Sequence, residues 1–136
     1  MKAIIFALGA PLLLVTACAD DQQEVAEDQM ETSAQQSAVL GGTEPVALGL
    51  TELQLLDADV YGVAGVELGD VQRIMRGASG EVTGLLVEVE DSSPDRYVEL
   101  PLEGLTVMQR GDDTDISTTL TRDQLIAMPE IDITTL

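Results

Sequence analysis

The stretch VTGLLVEVE, residues 82–90, puts Leu85, Val87 and Val89 on one side of an extended chain and Leu86, Glu88 and Glu90 on the other. Alternation of this kind marks a half-buried β-strand, because successive side chains of a strand point to opposite faces. The first trio is assigned to a core and the second to the outside. Further strand-type runs stand at 58–63, 67–76, 96–102, 105–110 and 115–120. Turn residues separate them: Ala64-Gly65, Gly77-Ala78-Ser79-Gly80, Asp91 to Asp95 and Gly111-Asp112-Asp113. Six short strands at this spacing point to an all-β fold, a small six-stranded barrel or sandwich.

The chain closes on TRDQLIAMPE, residues 121–130, where Thr121 and Gln124 stand at capping-box spacing and Pro129 ends the run. One short C-terminal helix is expected there, laid on the barrel through Leu125 and Met128. Aromatic residues are scarce: apart from Phe6 only Tyr61 and Tyr97 occur, so the core is aliphatic.

Upstream of Val46 the pattern changes. Residues 19–45 hold seven acids and no base, are rich in Gln and Ser, and end in Gly-Gly and Pro45. Such a stretch buries too little apolar surface to offset the entropy of ordering it, which predicts a disordered acidic tether over 18–45. As a flexible coil it would reach roughly 25–30 Å. The alternative is a transient polar helix over 21–38, in which Val25 and Met30 are too sparse to define an apolar face.

Lys2 followed by AIIFALGAPLLLV, residues 3–15, has the basic start and apolar run of an export signal. The ending Val15-Thr16-Ala17-Cys18 resembles the lipobox of bacterial lipoprotein signal peptides, which implies that residues 1–17 are removed and that Cys18 carries the lipid. An uncleaved membrane anchor and a free or intermolecularly paired thiol are the competing readings. A second acyl chain makes membrane attachment stable, so a lipidated Cys18 places the protein on a membrane without a spanning helix. In the lipoproteins that this leader resembles, Asp directly after the Cys favours inner-membrane retention; Ala19 in that place, with Asp20 next, implies the periplasm-facing outer membrane.

Charge narrows the function. Six Lys and Arg against 25 Asp and Glu give a formal net charge of −19, which repels polyphosphate backbones. Nucleic acid is therefore not the expected partner. The chain has no His, its glycines lack phosphate-loop spacing, and no cofactor motif occurs, so no catalytic or cofactor-binding residue is assigned. Asp57, Asp59, Glu67 and Asp70 are gathered by the first hairpin and are read as solvated surface carboxylates. The run GDDTD, residues 111–115, lacks the central Gly and twelfth-position Glu of a calcium loop and reads as a turn.

The segments LLDADVYGVAGVELGDVQRIM (55–75), GEVTGLLVEVE (80–90), RYVELPLEGLTV (96–107) and TRDQLIAMPE (121–130), in that order, resemble the PRC-barrel family. That family is named from the cytoplasmic domain of the H subunit of the photosynthetic reaction centre and includes a domain of a ribosome maturation factor. The resemblance implies a PRC-type β-barrel over 46–136 that serves as a docking or assembly module, with no shared catalytic residues. The export leader argues against a ribosomal role. The expected function is thus a non-catalytic envelope lipoprotein that docks an unidentified protein; divalent-cation binding by surface carboxylates is the alternative.

Overall fold

The computed structural model describes residues 19–136, so the leader and Cys18 lie outside the described residues. Six strands form: β1 (Asp59–Tyr61), β2 (Glu67–Arg76), β3 (Val82–Val89), β4 (Tyr97–Pro101), β5 (Thr106–Arg110) and β6 (Asp113–Ser117); alternation of aliphatic side chains is clearest in β2 to β4, while β1 and β6 each bury one aliphatic residue, Val60 and Ile116. They make one mixed sheet in the order β4-β3-β2-β1-β6-β5. β2, β3 and β4 form an antiparallel meander, β5 and β6 a hairpin, and β1 joins the halves by pairing antiparallel with β2 and parallel with β6.

The expected closed barrel is not what forms. β4 and β5 are the two ends of the strand order, with no ladder between them among the described residues. The corner that separates them has a local cause. Gly104 takes φ 82° and the next residue, Leu105, turns into the core, so β5 leaves the sheet edge instead of folding back along β4. The free side of β4 is met by the C-terminal segment, with Ile131 N–H donating to the Tyr97 carbonyl at 2.8 Å. An edge covered in this way is blunted against further pairing.

The inner face of the curled sheet packs one aliphatic core. Leu85, Val87 and Val89 lie in it as alternation requires, together with Val60, Leu68, Val71, Ile74, Val98, Leu100 and Ile116. Two short helices cover it: α2 (Glu52–Leu56) through Leu55, and α3 (Arg122–Ile126) through Leu125. Each begins with a capping box, Thr51 with Gln54 and Thr121 with Gln124. Met128 packs against the core just beyond α3, whose helical turns end sooner than the 121–130 stretch suggests. Gly69 lies between β1 and β3 at a point so close that a Cβ there would overlap the Glu88 carbonyl oxygen.

The acidic segment departs furthest from expectation. Residues expected to form a disordered tether make a 23-residue helix, α1 (Ala19–Gly41). Ala26, Met30, Ala34 and Ala38 recur every fourth residue and so share one face. Met30, Ala34 and Ala38 are buried where α1 packs on β2, α2 and a closing 3-10 turn, Ile133–Thr135. Each alanine contributes little area, but its small side chain lets the helix lie close to the sheet. Ala, Gln and Glu also favour helix intrinsically. Val25, the other apolar residue weighed for this stretch, points to solvent.

Leu86 is corrected as a result. It does face away from the core, but α1 covers it and it is fully buried in a second cluster with Met30, Tyr97 and Ile133. Ala26, Met75 and Ile131 flank that cluster. Among the described residues no helix is long and apolar enough to cross a membrane.

Candidate functional site

The register of β1 against β2 sets Asp59 opposite Asp70 and Tyr61 opposite Glu67. Since Val60 points into the core, Asp59 and Tyr61 project from the outer face beside the β2 acids. Oxygens of Asp59, Glu67 and Asp70 lie within 4.8 Å of one another. The fourth carboxylate expected nearby, Asp57, is not in this cluster; it ends α2, its N–H donating to the Leu53 carbonyl at 3.0 Å.

Tyr61 sits among these acids with its hydroxyl 3.2 Å from Asp59 Oδ2 and 3.2 Å from Glu67 Oε2. A phenol has one proton, so it donates to one carboxylate at a time. Burial, followed by the hydrogen bond to Asp59 and its charge and then by Glu67, pushes the phenol up to about 12. It remains a donor at neutral pH. The guanidinium of Arg110, on β5, lies 4.1 Å from the centroid of the Tyr61 ring, a cation–π distance that brings one positive charge to the cluster.

The acidic row continues across the sheet. Asp70 pairs with Glu88 on β3, and Glu88 pairs with Tyr97 on β4. Burial, the hydrogen bond and charge of Asp59, and the charges of Glu90 and Glu67 raise Asp70 to about 6. Burial also raises Glu88, with the charges of Asp95 and Glu27 adding to it. Gln72 Nε2 donates to Glu88 Oε2 at 3.1 Å, a neutral donor where a cation would suit the site better. At the far end Asp115 is buried and accepts the Asp59 N–H at 3.4 Å. Of the 111–115 run, read in sequence as a turn, only Gly111, at φ 65°, and Asp112 make the β5–β6 turn; Asp113, Thr114 and Asp115 are already in β6, paired with Arg110, Gln109 and Met108.

The outer face therefore carries a band of acids running from β6 through β1 and β2 to β3, bordered by α1. Chemically such a band can attract cations or basic side chains, and it changes charge on mild acidification through Asp70. Asp59, Glu67 and Asp70 are visible in sequence, and so is the outward side of Glu88; its approach to Glu27 is not, because the sparse apolar residues of 21–38 define no face that would lay a helix on this sheet. The site expected at Cys18 lies outside the described residues.

The sequence matches the family model of the PRC-barrel domain over residues 54–123. The matched segment begins inside α2, takes in all six strands and ends in α3, leaving α1 and the closing turn outside it. No curated protein matches the chain.

Proposed function

Because this chain belongs to the PRC-barrel family, we propose that it is a non-catalytic docking or assembly module, held on the periplasmic side of a bacterial outer membrane by lipid on Cys18. The observation that carries the docking reading is the family match over every strand of the sheet. The tethering half rests on the leader and on the sequence Val15-Thr16-Ala17-Cys18. A net charge of −19 turns the module away from nucleic acid and towards proteins with basic surfaces.

The two halves are tested separately. Cys18→Ser is expected to move the protein out of the membrane fraction or to leave its leader attached; a membrane-bound species of unchanged mass removes the lipid anchor from the proposal. For docking, crosslinking in intact cells followed by purification of the full chain is expected to recover one protein in near-stoichiometric amount. Recovery of nothing above an unrelated lipoprotein control refutes docking.

A second reading, divalent-cation binding, is favoured by one observation, the approach of Asp59, Glu67 and Asp70 to within 4.8 Å. Calorimetric titration with calcium and magnesium is then expected to give heat that Asp70→Asn abolishes, and an athermal, displacement-free titration of the parent protein refutes it.

A further inference from the structure

The helix α1 lies on the outer face of the sheet with its charges mismatched to what they meet. Glu27 shares a cleft with Asp95, and its charge adds to the burial and the Asp95 charge that raise the carboxyl of Glu88; the Tyr97 hydroxyl is a favourable neighbour there. One Glu27 oxygen, Oε1, is buried without a hydrogen-bond partner. Glu31 shares a cleft with Asp70 and Gln72. On the other flank of the helix the relation reverses. Ser33 and Ser37 lie over Arg73 and Arg76, with no acid from α1 in that cleft. Arg76 turns to Glu52 of α2 at 2.6 Å, while Arg73 makes no ion pair among the described residues.

Among the described residues no salt bridge joins α1 to the sheet; its side-chain ties are Gln23 Nε2 donating to the Asp95 carbonyl at 3.1 Å and the Tyr97 hydroxyl donating to the Glu27 carboxylate. What holds the helix is Ala26 and Met30 against Met75, Leu86, Tyr97 and Ile133, with Ala34 and Ala38 buried further along where α1 meets β2 and α2. Ala34 and Ala38 present single methyl groups. α1 ends at Gly41 and the chain leaves it through Gly42 at φ 73°, a left-handed turn that glycine adopts without strain.

We propose that the outer sheet face beneath α1 is a helix-docking groove, that α1 fills it as a weak intramolecular occupant, and that the partner is a complementary amphipathic helix. That helix carries a stripe of small and methionine-like residues, bases where α1 has Glu27 and Glu31, and acids where α1 has Ser33 and Ser37. The sheet specifies this chemistry. Glu88, Asp95 and Asp70 lie along the Glu27–Glu31 flank of α1 and Arg73 and Arg76 along its Ser33–Ser37 flank, with Ala34 between the two clefts, so the groove reads charge on the two sides of a helix. The proposal rests on the docking reading above and names the surface and the class of partner.

The test uses the full chain and two synthetic peptides. One has the sequence of residues 22–41, and the other the same sequence with E27K, E31K, S33E and S37E. Hydrogen exchange of residues 22–41 in the protein is followed by mass spectrometry. The substituted peptide is expected to speed that exchange by about tenfold or more as α1 is expelled, while Leu86 and Tyr97 stay protected; the unsubstituted peptide at the same concentration is expected to do so far less. Equal effects of the two peptides, or unchanged exchange with the substituted one, overturn the proposal. A second measurement covers a peptide that fails to become helical. In the full chain, Glu27→Lys with Glu31→Lys is expected to slow exchange of 22–41 by a similar factor, and exchange that is unchanged or faster overturns it. Binding of the substituted peptide elsewhere on the protein defeats the groove and leaves docking intact. Expulsion of α1 without any partner recovered from cells defeats docking and leaves the groove.

Discussion

Leu86 and Met30 give the sharpest measure of whether α1 is part of the folded unit. Both belong to the small cluster on the outer face, Leu86 with no exposed surface and Met30 with 5%. Truncating a buried Leu to Ala in a rigid core costs about 2–5 kcal/mol, from lost transfer energy and the cavity left behind. The cluster around Leu86 is bounded by a helix able to settle inwards, which places Leu86→Ala near the low end, about 2–3 kcal/mol. Met30→Ala is expected to cost about 2 kcal/mol for the same reason. Since the two side chains share one cluster, the double variant should lose less than the sum, with a coupling of about 0.5–1.5 kcal/mol. Urea melts of the four proteins, extrapolated linearly, supply the cycle. Val87→Ala, in the main core on the neighbouring residue, is the internal standard at about 1–3 kcal/mol; Glu88→Ala, on the acidic face, should fall within about 0.5 kcal/mol of the parent. A Leu86→Ala cost below 0.5 kcal/mol, the value of an open surface position, refutes the placement of α1, and so does strict additivity with Met30→Ala.

Two further outcomes are expected. The carboxyl of Asp70 is raised to about 6 from an ordinary 3.8, so its ionised form weighs against folding; that penalty is full above about pH 6 and fades as pH falls through the window from 6 to 3.8. Stability should accordingly rise on acidification across that window, and Asp70→Asn should flatten the rise and add about 1 kcal/mol at pH 7 once solvent screening is allowed for. Parallel stability–pH curves for the two proteins would show that Asp70 is not the group responsible. Gly69→Ala should cost about 2–4 kcal/mol by forcing β2 and β3 apart, and a thermal melt within a degree of the parent's would mean that the ladder has room for a methyl group.

The parts of this fold that were legible in sequence are those in which one short stretch contains its own signal. Six strands were, because strand-type residues and turn residues sit within a few positions of one another, as in 82–90, although the last runs Asp113–Ser117 where 115–120 is expected. The α3 start was, through Thr121 and Gln124. The same spacing at Thr51 and Gln54 passed unread because the helix it begins, Glu52–Leu56, is too short to show a period. α1 escaped because hydropathy sees three alanines and a methionine as an indifferent face, whereas packing sees a flat one. Closure of the sheet escaped because it depends on a corner at Gly104 and Leu105 and on the distant segment at 130–131, neither of which any strand announces. The candidate site divides in the same way: Asp59, Glu67 and Asp70 meet across one hairpin, while Glu27 reaches Glu88 from 61 positions away in the chain.

The parallel ladder between β1 and β6 sets the order in which the sheet is put together. β2, β3 and β4 are joined by short connections and close at little entropic cost, as does the β5–β6 hairpin. Val60 and Ile116 must find each other across more than half the domain, so their pairing carries the largest loop-closure cost in the sheet and is expected to come late. Until it does, β1 and β6 are bare edges of the kind along which half-folded chains join one another. Asp59 on one and Asp113 and Asp115 on the other place like charges along those edges, so two unfinished molecules repel where a single chain, bound by its own continuity, still closes.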